Sequence, residues 1–157
     1  MEEHINNIEE LGAIITNKLN EGASLCNLRY LLENYNGTDW TSYMKFSDSK
    51  YVRNIVLRNE TIDIVIVCWE IHQGCGIHDH PDNGCLMRIM SGQLTEKVYA
   101  KNELGFELLN SNNLCDNQIS YIQGKTGFHC ISNNGNKQTV SFHIYSPPNY
   151  VPNYYVT

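Results

Sequence analysis

Beyond Phe46 the chain is a succession of short β-rich runs, YVRNIVL, TIDIVIVCWE, GCLMRIM, QLTEKVYA, QISYIQ, FHCIS and TVSFHIYS, cut apart by Gly, Asn and Asp. β-branched and aromatic residues suit pleated, half-buried surfaces, and Gly, Asn and Asp supply the turns between them. Runs of this length and punctuation predict a mostly β fold, a sandwich or barrel of antiparallel strands. Within it, GCLMRIMSGQLTEKVY reads as one hairpin turning at Ser91-Gly92.

The stretch before Phe46 has a different period. Ile5, Ile8, Leu11, Ile15 and Leu19 recur at three- and four-residue steps, which predicts an amphipathic helix over residues 3 to 20. Ser24 is the candidate cap of a second helix, with Leu28, Leu31, Leu32 and Tyr35 as its buried stripe and Asn36-Gly37 as its close. Thr38 is the candidate cap of a short helical turn carrying Trp40, Tyr43 and Met44. Residues 1 to 45 thus read as an N-terminal segment of two or three helices and 46 to 157 as the β part. The 157 residues suit a single domain.

Eleven Lys and Arg against 17 Asp and Glu leave a net charge of −6. That balance argues against nucleic acid or an anionic membrane as partner, since phosphates need clustered cations. The opening MEEHINNIEE lacks the basic and apolar regions of an export signal, and no window supplies the ~20 apolar residues of a membrane span. The expectation is a cytoplasmic monomer acting on a small molecule. In that compartment Cys26, Cys68, Cys75, Cys85, Cys115 and Cys130 stay reduced, and the absence of CxxC argues against a zinc ribbon or a thioredoxin motif.

Five of the six histidines lie in the β part, which points to where the chemistry is. In GIHDHPDNGC, His78 and His80 stand two apart, so in an extended stretch both imidazoles face one side. His129, in GFHCISN on a later strand, is a candidate third metal ligand from across a barrel. Taken singly, each of these histidines is as readily a satisfied core or surface residue.

The spacing around them carries more. HDH, four residues, Cys85, six residues and Gly92 resembles the first motif of the cupins, and His129, three residues and Asn133 resembles the second. Cys85 stands where cupins carry a glutamate. TDWTSYMKF, KYVRN, CWEIHQGCGIHDHPDNGC, GFHCISN and SFHIYSPP together resemble the cysteine dioxygenases in order and spacing, over roughly residues 38 to 148.

The resemblance implies a cupin, a small antiparallel β-barrel or jelly roll, preceded by the helices. It implies Fe(2+) held by His78, His80 and His129, a neutral variant of the two-histidine, one-carboxylate facial triad. The partners would be L-cysteine, chelating through thiolate and amine, and O2; the product would be cysteine sulfinate. Arg53 of YVRN would hold the substrate carboxylate, a task suited to its planar fork, with Tyr51 lining the pocket beside it. Ser141, His143 and Tyr145 alternate along VSFHIYS and so share one side of a strand, with Phe142 and Ile144 on the other. By the resemblance they form a relay in which Ser141 orients His143 and His143 orients the Tyr145 hydroxyl. A thioether crosslink between Cys85 and Tyr145 and a cis Ser146-Pro147 bond are implied as well.

Trp69 is expected in the pocket wall or the core. Cys75 departs from the family pattern, placing an extra thiol near the site. The sequence given ends on YSPPNYVPNYYVT where longer members continue with further strands, so pocket closure at that end is expected to differ. Three other readings stay open: a dioxygenase for another thiol such as 3-mercaptopropionate or cysteamine, a metal-dependent cupin isomerase, and a non-catalytic metal-binding cupin.

Overall fold

The computed structural model describes residues 4–156. Its strands are β1 (Val52–Arg58), β2 (Asp63–Trp69), β3 (Ile77–His78), β4 (Cys85–Ser91), β5 (Gln93–Asn102), β6 (Gly105–Cys115), β7 (Ile119–Ile122), β8 (Phe128–Ser132), β9 (Thr139–Tyr145) and β10 (Tyr154–Tyr155). They form two five-stranded sheets, in the orders β1-β2-β9-β4-β7 and β10-β3-β8-β5-β6. Every pairing between these strands is antiparallel.

The first sheet is covered on both faces. Ile64, Ile66, Leu86, Phe142 and Ile144 pack with Leu11, Ile15, Leu28, Leu32 and Tyr35 of the N-terminal segment. The intervening Val65, Val67, Trp69, Met87 and Ile89 pack with Leu94 and Ile131 of the second sheet. DIVIVCW therefore lacks apolar–polar alternation because all of β2 is buried. The interior between the sheets is where β9 sends Ser141, His143 and Tyr145.

Helix α1 spans Ile8–Asn20, starting later than the periodicity predicts; Glu3, the first residue of the predicted helix, lies outside the described residues. Asn7 has extended backbone and accepts from Glu10 N at 2.8 Å, while the Glu10 carboxylate accepts from Asn6 N at 3.1 Å. This reciprocal capping fixes the helix start. Ile5 is buried, but as a parallel bridge to Tyr35. Helix α2 (Arg29–Asn34) follows a 3-10 turn over Leu25–Leu28, and its predicted stripe is buried. It closes at Tyr35 rather than at Asn36-Gly37.

Neither Ser24 nor Thr38 caps with its side chain; the Thr38 carbonyl is engaged by Thr41 N and Oγ1. Arg88 of β4 ties the helices to the sheet, donating from Nη1 to the carbonyls of Leu32 at 2.7 Å and Tyr35 at 2.6 Å.

The predicted hairpin at Ser91-Gly92 does not form. β4 pairs with β7 and β9, and β5 with β6 and β8, so the chain passes from one sheet to the other there. Gly92 has φ of 104°, and a Cβ on it would meet Thr139 Oγ1 at 2.1 Å. This is a corner only glycine can turn. The true partner of β5 is β6, an exposed edge strand whose asparagines and outward leucines carry no alternating signal. Among the described residues no helix is long and apolar enough to cross a membrane, and all six cysteines are free.

Candidate active site

The pairing of β3 with β8 places His78 directly opposite His129, and His80 follows just beyond the end of β3. All three imidazoles are buried. His129 Nε2 lies 2.9 Å from His80 Nε2 and 3.2 Å from His78 Nε2. Each Nδ1 is taken by an acceptor: Gly76 O at 2.8 Å for His78, Gly127 O at 3.1 Å for His80, and Glu96 Oε2 at 2.7 Å for His129. Carbonyl and carboxylate oxygens accept only, so the protons sit on Nδ1 and the Nε2 lone pairs face one another. Burial, reinforced by the neighbouring imidazoles, pushes His80 down to about 2 and His129 well below the ordinary histidine range.

Three neutral imidazoles turning lone pairs on one point repel unless a cation lies among them. Their spacing suits adjacent ligands roughly 2.1 Å from a shared ion. The trio therefore fits a metal ion.

Most of the other sequence-predicted residues gather on one cavity beside this cluster, while Ser141 and Cys85 lie outside its lining. Tyr51, Arg53, Trp69, Cys75, His143 and Tyr145 line it together with His78 and His129. Arg53 sits exposed on β1 at its edge, with its guanidinium carbon 5.7 Å from the centre of the Tyr145 ring; among the described residues it has no ion-pair partner. Tyr51 stacks on Trp69, ring centres 4.7 Å apart. Along β9, Ser141 Oγ lies 2.7 Å from His143 Nε2, and Tyr145 Oη 3.2 Å from His143 Nδ1. Trp69 adds a fourth member, donating from Nε1 to Ser141 Oγ at 2.9 Å.

Burial, helped by the nearby Arg53 charge, holds His143 well below its usual range. Burial raises the Tyr145 phenol well above its own, and the adjacent Cys85 thiol reinforces this while Arg53 opposes it. Cys85 stands opposite Tyr145 in the β4–β9 register and is buried. Its thiol is pushed up by burial, so it is protonated at neutral pH. Cys75 Sγ lies 3.8 Å from His78 Nδ1, and burial raises its thiol to about 11. The Ser146-Pro147 bond is cis.

Two residues gave no functional signal in the reading above. Glu96 is buried on β5 and accepts from His129 and from Ser120 Oγ at 2.6 Å. Leu94, Glu96 and Val98 share one side of the strand, so a carboxylate on an apolar stripe was the available clue. Asp79, the centre of HDH, holds the chain's last strand. It accepts from Tyr150 Oη at 2.6 Å, Asn153 N at 2.8 Å, Asn153 Nδ2 at 2.9 Å and Tyr155 Oη at 3.3 Å. This latch lays β10 along β3, with Tyr154 opposite His78 and its ring centre 5.4 Å from that imidazole.

Two solved structures share the architecture. One is a double-stranded β-helix protein from Klebsiella pneumoniae, with TM-score 0.60, 18% identity, and 75% of this chain and 95% of that one covered. The other is a cupin superfamily protein from Desulfitobacterium hafniense, with TM-score 0.52, 10% identity, and 67% and 84% covered. Together these give a cupin fold, a double-stranded β-helix, carrying a three-histidine cluster able to hold a metal ion.

Within that class, the family model for cysteine dioxygenase type I matches residues 6–155, and the chain belongs to that family. Cysteine dioxygenase type 1 of Danio rerio is 35% identical over 126 residues, 75% of this chain and 63% of that protein. The matched stretch spans about three-fifths of the length of these curated relatives, from 58% to 63%.

Proposed function

We propose that this chain is an Fe(2+)-dependent cysteine dioxygenase that converts L-cysteine and O2 to cysteine sulfinate and a proton, with both oxygen atoms added to sulfur. The observation that carries the reading is that, in a family member, a cluster of three histidines lies beside a cavity that also receives the Arg53 guanidinium and the half-buried Tyr145 phenol. Bound at the three imidazoles, Fe(2+) would hold the substrate as thiolate, lowering a thiol pKa that is ordinarily near 8.5, and bring O2 to its sulfur.

The chain's own groups do the rest. Arg53 presents two parallel N–H donors to the cysteine carboxylate, which fixes the substrate's orientation relative to the histidines. The Trp69 indole N–H occupies one lone pair of Ser141, whose hydroxyl then donates to His143 Nε2. His143, kept neutral by burial, carries its proton on Nδ1 and donates it to the Tyr145 oxygen. That leaves the phenolic hydrogen free to donate into the cavity, to the substrate carboxylate or to an oxygen being transferred. Tyr51 and Trp69 form the apolar wall beside Arg53. Cys85, opposite Tyr145, is placed to fix the phenol ring through a thioether.

The test is the metal content of the purified protein together with O2 consumption on adding L-cysteine. Iron, with O2 consumed and sulfinate formed, is the expected result. Zinc with no O2 consumption would overturn the proposal in favour of a metal-binding module.

A further inference from the structure

His78 and His80 lean on backbone carbonyls, which are neutral acceptors; His129 alone leans on a carboxylate. We propose that Glu96 is a positioning residue for the metal centre: through its hydrogen bond from His129 Nδ1 it makes His129 the strongest of the three donors. It also restores, one residue behind the ligand, the negative charge that a three-histidine set lacks. The proposal rests on the metal-binding part of the reading above and not on the oxygenation.

Glu96 reaches this place by register. Val98 of β5 pairs with His129 of β8 and Glu96 with Ile131, so Glu96 and His129 are diagonal neighbours across the two strands. Both are almost fully buried, with exposures of 3% and 4%. The second carboxylate oxygen is engaged by Ser120 of β7, in the opposite sheet, so Glu96 cannot turn away from the imidazole without losing that bond.

A carboxylate is costly to bury unless an opposite charge balances it. Yet among the described residues the only positive-capable group on Glu96 is His129 itself, and no Lys or Arg pairs with it. A divalent ion on the far nitrogen of His129 is the charge that completes the arrangement. With the carboxylate drawing on the Nδ1 proton, Nε2 becomes more basic and its ring plane is fixed toward the ion. The cupin glutamate replaced by Cys85 thus has a counterpart outside the ligand set.

The competing role is purely structural, a polar rivet between the two sheets. The two are separated by Co(2+) titration of the metal-free protein, followed by visible absorption, in wild type, Glu96→Gln and Ser120→Ala, with thermal unfolding of each metal-free protein alongside. Glu96→Gln is expected to bind Co(2+) about 10- to 100-fold more weakly, with an altered ligand-field spectrum and a metal-free melting temperature close to wild type. Ser120→Ala leaves the carboxylate in place and is expected to retain most of the affinity. Wild-type affinity in Glu96→Gln, or equal losses in both variants, would overturn the proposal. Should Glu96→Gln fail to fold, Glu96→Asp carries the same test: it keeps the charge but shortens the reach, so weaker Co(2+) binding is expected and unchanged binding overturns the proposal. Neither cysteine nor O2 enters this measurement, so its failure is distinct from failure of sulfinate formation.

Discussion

On the proposed reading, Arg53 is the residue on which substrate choice would turn. A fully buried cation left unpaired would cost roughly 2 to 5 kcal/mol. The guanidinium instead lies exposed at the cavity edge, where ion pairs contribute about 0 to 1 kcal/mol before the substrate encloses them. An intermediate figure of about 1 to 3 kcal/mol follows, so L-cysteine should be preferred to cysteamine by roughly 5- to 150-fold in kcat/KM. Arg53→Ala should raise KM for cysteine and erase that preference; a wild type that prefers cysteamine, or a variant with unchanged cysteine turnover, would contradict the assignment.

Cys85 faces Tyr145 across two strands, so protein that has turned over with iron, cysteine and O2 should contain a species lighter by two hydrogen atoms. Mass spectrometry of Cys85→Ser should lack that species while slower sulfinate formation persists. Loss of iron in Cys85→Ser would make Cys85 a metal ligand instead. That His78 and His80 lie together was legible at this scale because residues two apart in extended chain face one side. Glu96 and the Trp69 link to Ser141 were not, because each depends on which strands become neighbours.

At the scale of elements, seven of the ten strands were legible as β-rich runs, and their pairing was not. The run through Ser91-Gly92 has the composition of a hairpin turn, yet Gly92 is pressed against Thr139 at a corner between sheets. β6 escaped notice because an exposed edge strand buries little and so shows no apolar alternation. β3 and β10, two residues each, are too short for any periodicity. What fastens β10 is the side chain of Asp79, between His78 and His80. Asp79→Ala removes the acceptor for four donors on the tail and should cost about 1 to 3 kcal/mol of tail docking. Hydrogen exchange should then accelerate over residues 149 to 156 while α1 and β2 keep their protection; unchanged exchange in the tail would mean that β10 pairing alone holds it.

For the molecule as a whole, one sheet is covered on both faces, by helices on one and by its partner sheet on the other, and this sandwiching makes β2 apolar from Ile64 to Trp69 while burying the polar Ser141 and His143 of β9. The apolar periods of both segments pointed to such layers, whereas the closure of the cavity by polar groups was hidden from them. Asp63, at the mouth end of β2, shows how that closure depends on pH. Burial alone would raise its carboxyl, but hydrogen bonds from Arg58 at 2.6 and 3.0 Å and from Asn149 N at 2.9 Å outweigh it and hold it below the usual range. The unfolded chain therefore takes up this proton first, so the contribution is fully present above about pH 4 and is lost as pH falls through the carboxylate range. In urea unfolding, wild type and Asp63→Asn should differ most near pH 7 and the gap should shrink as pH falls below about 4. A gap that stays constant across that range would contradict the assignment.

The most direct test of the central claim is the fate of molecular oxygen. Protein loaded with Fe(2+) and given L-cysteine under 18O2 should yield cysteine sulfinate in which both sulfur-bound oxygens carry the label, and the His129→Ala protein should yield none. Sulfinate carrying a single labelled oxygen, or cystine as the only product, would contradict a dioxygenase at this site.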